Sequence, residues 1–286
     1  MSGIIEIKNL SYKIKDKQIL GNINLTINKG EAFALIGVNG SGKSTLISSI
    51  LGDIIPTEGE IIIRGNSPRN YTEWGVLYDF PCLYDDLTVD ETIKMFASLN
   101  DVRYPYIVEK YYPVFEIGYI KKSLIRQLSA GEKRRVSILI SILRPVNLLV
   151  MDEPFANLDP IMVDKIWAVI KEDGRTILFS SHDWGGVELM ASQLAFIYNG
   201  EIIGEPLNVE EILSSLPSSQ IVSFAKEYMI EKYNVFEHYI AGNNVSLFYD
   251  KGKVDVFSIL NNNNISYSVR KVGIRDAYMY KTFKMK

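Results

Sequence analysis

Hydrophobic and polar positions follow two periods along the first two hundred residues. Apolar and polar residues alternate in "IIEIKNLSYKI" (4–14) and "NINLTI" (22–27), which predicts two half-buried strands. "EAFALIGVNG" (31–40) is a continuous apolar run that ends in a glycine-rich turn, so it reads as a buried strand. "KSTLISSIL" (43–51) has helical spacing and is closed by Gly52. "GEIIIRG" (59–65) is a strand bounded by glycines, and the spacing turns helical from Asp90 to Tyr112, with "ETIKMFASL" as its amphipathic part. "KRRVSILISIL" (133–143) predicts a second helix, "VNLLVMDEP" (146–154) a buried strand, "MVDKIWAVIKEDG" (162–174) a helix and "TILFSSH" (176–182) another buried strand. Strand and helix alternate, which is the order of an α/β fold around a central parallel sheet.

The character changes after about Pro206. "SQIVSFA" (219–225) reads as a strand, "KEYMIEKY" (226–233) as a helix, and "FEHYIAGNNVSLFYD" (236–250) as a hairpin turning at Gly242, Asn243 and Asn244. "KVDVFSIL" (253–260) is a helix, "NNNN" (261–264) a turn, "ISYSVRKV" (265–272) a strand and "RDAYMYKTF" (275–283) a last helix. The order is βαββαβ plus a helix, that of a ferredoxin-like split βαβ unit.

Composition narrows the function more than the fold. The 286 residues suffice for one large core and a small appendage. A net charge of −3 gives no electrostatic case for nucleic acid. Cys82 is the single cysteine, so no internal disulfide forms, in keeping with a reducing compartment. No apolar run approaches the ~18 residues of a membrane helix, and "MSGIIEIKNL" has no basic and apolar leader pattern. A membrane, if one is involved, is supplied by another chain.

The chemistry concentrates at two strand ends. Gly37, Val38, Asn39, Gly40, Ser41, Gly42, Lys43, Ser44 and Thr45 match the G-x4-G-K-S/T phosphate loop, set between a predicted strand and a predicted helix. Glycines there let backbone N–H groups point at phosphate oxygens, and the helix N-terminus adds its positive end. Lys43 would contact the β and γ phosphates, and the Ser44 hydroxyl would hold Mg2+. In "LLVMDEP", Asp152 stands at a strand's carboxyl end, in reach of that Mg2+, and Glu153 is free to orient or deprotonate an attacking water.

The phosphate loop, "LSAGE", "LLVMDEP", "NLD" and "SSHD" occur in the order of an ABC-type ATPase cassette, with Ser129 only 23 residues ahead of Asp152. The chain is similar to that family over roughly residues 3–210. The resemblance implies a P-loop NTPase cassette with a mainly parallel core sheet, an antiparallel β subdomain and a helical subdomain at about 80–145. The cassette would span residues 1–210, and a small C-terminal α+β domain residues 211–286. The resemblance also implies that Ser129 and Gly131 close over the γ-phosphate held by a partner cassette, so that ATP is hydrolysed in a homodimer or heterodimer with two composite sites. Asp159 matches the D-loop residue at the dimer seam, and His182 the switch histidine on the γ-phosphate. His238 matches nothing.

Two positions depart from the family pattern. The aromatic residue that stacks on adenine falls by spacing on Ile14, and Tyr12 lies two residues earlier, on the same face of a regular strand. Either Tyr12 takes over the stacking or Ile14 offers apolar contact alone. The glutamine that touches Mg2+ or the attacking water is replaced by Asp79. The tail from "ILNNNN" onward resembles that of cassettes paired with export permeases of the ABC-2 kind. The implied function is the ATP-hydrolysing subunit of an ABC exporter, peripheral on the cytoplasmic face of the cell membrane and bound to a separate transmembrane permease. An importer cassette is the nearest alternative. A soluble ABC ATPase of ribosome or DNA is disfavoured by the 86 residues between Lys43 and Ser129, too few for a coiled-coil insertion.

Overall fold

The computed structural model describes residues 3–172, 174–249 and 255–285. Strands β1 (Gly3–Ile14), β2 (Lys17–Asn28) and β4 (Glu58–Ile63) form an antiparallel sheet in the order β2-β1-β4. Their alternation turns Ile5, Ile7, Ile23, Ile27 and Ile63 inward, as the period of two requires. The register shifts on both sides of Tyr12, so the regular alternation assumed for Tyr12 and Ile14 does not hold. Tyr12 is half-buried against the core, whereas Ile14 is 52% exposed.

The central sheet has the order β5-β6-β7-β3-β8-β9, from β3 (Ala32–Ile36), β5 (Trp74–Leu77), β6 (Leu148–Met151), β7 (Thr176–Ser181), β8 (Gln193–Tyr198) and β9 (Glu201–Leu207). All neighbours are parallel except β8 and β9. Every residue of β3 and β6 is buried, which explains their unbroken apolar sequence. The helices are α1 (Lys43–Leu51), α2 (Val89–Leu99), α3 (Tyr104–Lys110), α4 (Tyr112–Phe115), α5 (Ala130–Ile142), α6 (Pro160–Glu172), α7 (Trp184–Met190) and α8 (Val209–Ser214). Gly52 ends α1 in the left-handed region, φ 81°, with its N–H on the carbonyls of Ser48 and Ser49. The helical stretch expected from Asp90 to Tyr112 is broken at Asp101, φ 55°, and resumes with Pro105 and Pro113 in the first turns of α3 and α4.

The C-terminal strands β10 (Gln220–Ala225), β11 (His238–Ala241), β12 (Asn244–Phe248) and β13 (Tyr267–Lys271) make an antiparallel sheet in the order β11-β12-β10-β13. The first strand thus pairs with the third and the fourth, which is the split βαβ arrangement. One expectation fails. Residues 226–233 are not an α-helix; the link contains two short 3-10 turns, Lys226–Tyr228 and Glu231–Val235. This link must place Tyr233 and Phe236, both nearly inaccessible, under the sheet, and that burial overrides a modest helical propensity. Helix α9 (Val256–Asn262) covers the face formed by Val222, Phe224, Val245 and Leu247. The Lys253 and Val254 start expected for that helix lies outside the described residues.

The opposite face meets α10 (Ile274–Lys284). Ile221, Tyr239 and Phe248 share one continuous core with Ile274, Ala277 and Tyr278 of α10 and with Phe196 of the central sheet. Asp276 fixes the start of α10: it is fully buried, and it accepts hydrogen bonds from Tyr239 Oη (2.6 Å), both Arg270 terminal nitrogens (2.6 and 2.7 Å) and the Gly273 N–H (2.8 Å). Burial alone would raise its pKa, but these partners more than offset that and hold it below the usual carboxylate range.

Candidate nucleotide site

The loop between β3 and α1 is shaped by three glycines. Gly40 and Gly42 have φ 78° and 109°, which L side chains rarely adopt. A Cβ on Gly37 would lie 2.5 Å from the Ile197 carbonyl, so only glycine allows β8 to pass this close. Val38, Asn39 and Gly40 form the exposed crest, while Ser41 and Lys43 are buried. Lys43 Nζ donates to the carbonyls of Gly37 (2.9 Å) and Val38 (3.4 Å) and lies 3.4 Å from Glu153 Oε1. Ser41 Oγ is buried without a hydrogen-bond partner, an orphan that a phosphate oxygen would satisfy. Ser44 is exposed on the first turn of α1, and Thr45 lies beside it with its carbonyl taken by Ser49 Oγ.

Strand β6 delivers Asp152 and Glu153 to the same place. Asp152 is buried and accepts from Ser180 Oγ at 2.5 Å. The same Ser180 oxygen accepts the Glu153 N–H at 2.8 Å, where Glu153 has the left-handed φ of 47°. Glu153 Oε2 is 2.8 Å from His182 Nδ1. One carboxylate therefore meets the loop lysine on one side and the histidine after β7 on the other. The hydroxyl of Ser44 and the carboxylate of Asp152 are hard oxygen donors of the kind Mg2+ prefers.

The other expected residues sit around this centre. Tyr12 lies opposite Leu20 across the β1–β2 hairpin, and the Leu20 side chain abuts Gly42. Ser129 is exposed at the N-cap of α5 and exchanges hydrogen bonds with Glu132 in a capping box. A Cβ on Gly131 would lie 2.6 Å from the Asn157 carbonyl, so the "LSAGE" segment packs against the "NLD" segment of its own chain. Asp159 is exposed and caps α6 through the Met162 N–H, 3.0 Å. The Asp79 side chain is exposed at the end of β5; its backbone carbonyl, not its carboxylate, is tied down.

That tie is Arg134, which the sequence places in the helix expected over 133–143 without marking it as part of the site. Its buried guanidinium donates to the carbonyls of Tyr78, Asp79, Asp152, Glu153 and Pro154 at 2.5–3.0 Å. It holds the β5 end and the β6 end in one frame. Its place four residues before Ile138, on the buried face of α5, was the available signal. Ser180 was likewise missed, although a serine inside a buried strand invites the question of its partner.

A phosphate loop, a strand-end acidic pair and a histidine that converge on one carboxylate define a P-loop ATPase. The ABC transporter family profile matches residues 20–156. The chain is 36% identical over 225 residues to the lantibiotic transport ATP-binding protein SrtF of Streptococcus pyogenes, covering 77% of this chain and 98% of that one. It is 29% identical over 221 residues to the bacitracin transport ATP-binding protein BcrA of Enterococcus faecalis, covering 74% and 71%. A solved ATP-binding subunit of an ABC transporter superposes with a TM-score of 0.65 at 27% identity, over 74% of this chain and 92% of that chain. The chain belongs to the ABC transporter ATP-binding family and is an ATPase of that family.

Proposed function

We propose that this chain is the ATP-hydrolysing subunit of an ABC exporter, working as one of two cassettes on a separate membrane-spanning permease at the cytoplasmic face. The observation that carries this reading is the convergence of Lys43 and His182 on the Glu153 carboxylate, a site equipped to turn nucleotide over and not only to bind it. Similarity to SrtF along nearly all of that protein, and to BcrA, favours export with a peptide antibiotic as the cargo class. Among the described residues no helix is long and apolar enough to cross a membrane, so the translocation path would belong to the permease. Residues 1–210 would form the cassette, with the helical part at about 80–145 facing the permease, and residues 211–286 a small C-terminal α+β domain packed against it. Lys43, Ser44 and Thr45 would receive the phosphates, Ser44 and Asp152 the Mg2+, and Tyr12 the adenine.

Reconstitution tests the reading. The tagged chain is purified from its native membranes in mild detergent and placed in proteoliposomes with the cassettes outward, with a labelled peptide antibiotic as probe. Export requires ATP-driven movement into the lumen, away from the cassettes. Movement out of the lumen would make the chain an importer subunit, and activity that responds only to ribosomes or DNA would remove it from transport.

Asp79 offers a second test. If its carboxylate joins the Mg2+ site, Asp79→Gln raises the Mg2+ concentration needed for half-maximal ATPase in the isolated chain, because hard cations prefer carboxylate oxygens. An unchanged Mg2+ titration would assign Asp79 to the permease contact instead. Its exposure fits either surface.

A further inference from the structure

Helix α10 reaches the phosphate loop. Tyr278, 1% exposed, packs its ring against Trp184 (centroids 5.0 Å apart), Phe196 (5.6 Å) and Tyr198 (6.4 Å). Its hydroxyl donates to the Ile197 carbonyl at 3.4 Å and accepts the Val38 N–H at 3.5 Å. Burial raises the pKa of this phenol, so it keeps the proton it donates. The Ile197 carbonyl is the group whose nearness demands glycine at position 37. The peptide unit between Gly37 and Val38 is therefore held at both ends. Its N–H is on Tyr278 Oη, and its C=O is on Lys43 Nζ at 2.9 Å.

We propose that Tyr278 is a positioning residue for the ATP site, fixing the plane of the Gly37–Val38 peptide and, through its carbonyl, the ammonium of Lys43. A peptide plane can rotate if only one end is held, and rotation would carry the carbonyl away from Lys43. The two bonds also polarise each other, since a donor at the C=O strengthens the N–H as a donor. Tyr278 does not itself approach a nucleotide phosphate; it acts through the loop. The C-terminal sheet enters this arrangement because Asp276, two residues before Tyr278, locks α10 to Arg270 and Tyr239. The same ring lies on Trp184, two residues beyond His182, so one side chain touches the segments that carry the lysine and the histidine. The appendage would thus set nucleotide affinity from a distance of 240 residues in sequence.

Tyr278→Phe isolates the hydroxyl, because the ring and its packing stay. The expected result is a dissociation constant for a fluorescent ATP analogue, and a KM for ATP, raised about three- to tenfold, the loss of one to two hydrogen bonds. The value of kcat should change by less than about twofold, because His182, Ser180 and Arg134 still hold Glu153 without help from Lys43. The melting temperature without nucleotide should stay within about 2 °C of the parent, because the two bonds lost are long, 3.4 and 3.5 Å, and the ring stays packed. Tyr278→Leu serves as the packing control and should lower the melting temperature as well. An unchanged affinity in Tyr278→Phe overturns the proposal. So does an affinity loss that appears only in Tyr278→Leu and in step with its melting temperature, since that is the mark of a packing role alone.

Discussion

Glu153→Gln is expected to bind ATP and to hydrolyse it at least about a hundredfold more slowly, the usual contribution of a positioned general base. The substitution keeps the shape of the side chain and removes its basicity. The frame around it is independent of that carboxylate: the Glu153 N–H is held by Ser180, its carbonyl by Arg134, and Asp152 by the same Ser180 oxygen. Lys43 retains the Gly37 carbonyl, and the phosphate loop is untouched. Binding and turnover should therefore separate. A phosphate-release assay reports the loss, and size-exclusion chromatography with ATP and Mg2+ should show an accumulated closed pair, because the step that separates the cassettes is blocked. Hydrolysis at the parental rate would remove Glu153 from the role of base and leave its ion pair with Lys43 as a structural contact.

The parts of this site that were legible in the sequence are those built from neighbours in the chain. The phosphate loop needs glycines at fixed offsets from Lys43, and Asp152 and Glu153 follow directly on an apolar strand, so both carry their context with them. The parallel sheet and the split βαβ order of the C-terminal strands were legible for the same reason, since the period of each segment is local. What could not be read depends on distant partners. Arg134 acts on carbonyls up to 56 residues away, and a carbonyl has no sequence signature. Tyr278 meets Val38 across 240 residues of chain. The bulge beside Tyr12 and the loss of a helix at 226–233 arise from tertiary packing that local propensity does not encode.

Ser129→Arg is expected to reduce ATPase activity by about a hundredfold, comparable to loss of an anion-stabilising donor, while the affinity of a single chain for ATP changes little. In its own chain the Ser129 oxygen serves Glu132 in the α5 capping box, and no hydrogen bond takes it to the phosphate loop among the described residues. Losing that cap costs about 1 kcal/mol locally, too little to unfold the chain. The exposed Ser129 and the N-terminus of α5 are instead free to face a phosphate held by a second copy. Lys43→Ala should fail for the opposite reason, since it empties the chain's own loop. Mixing the two inactive chains separates the readings. In a symmetric pair the mixed dimer joins the intact loop of one chain to the intact "LSAGE" segment of the other, and gathers both defects in the second site. Random pairing then restores up to roughly a quarter of parental activity, if the sites work independently. A flat, inactive response at every mixing ratio would sink the assignment of Ser129 to independent composite sites, because neither chain alone lacks anything that the other could not provide across the seam.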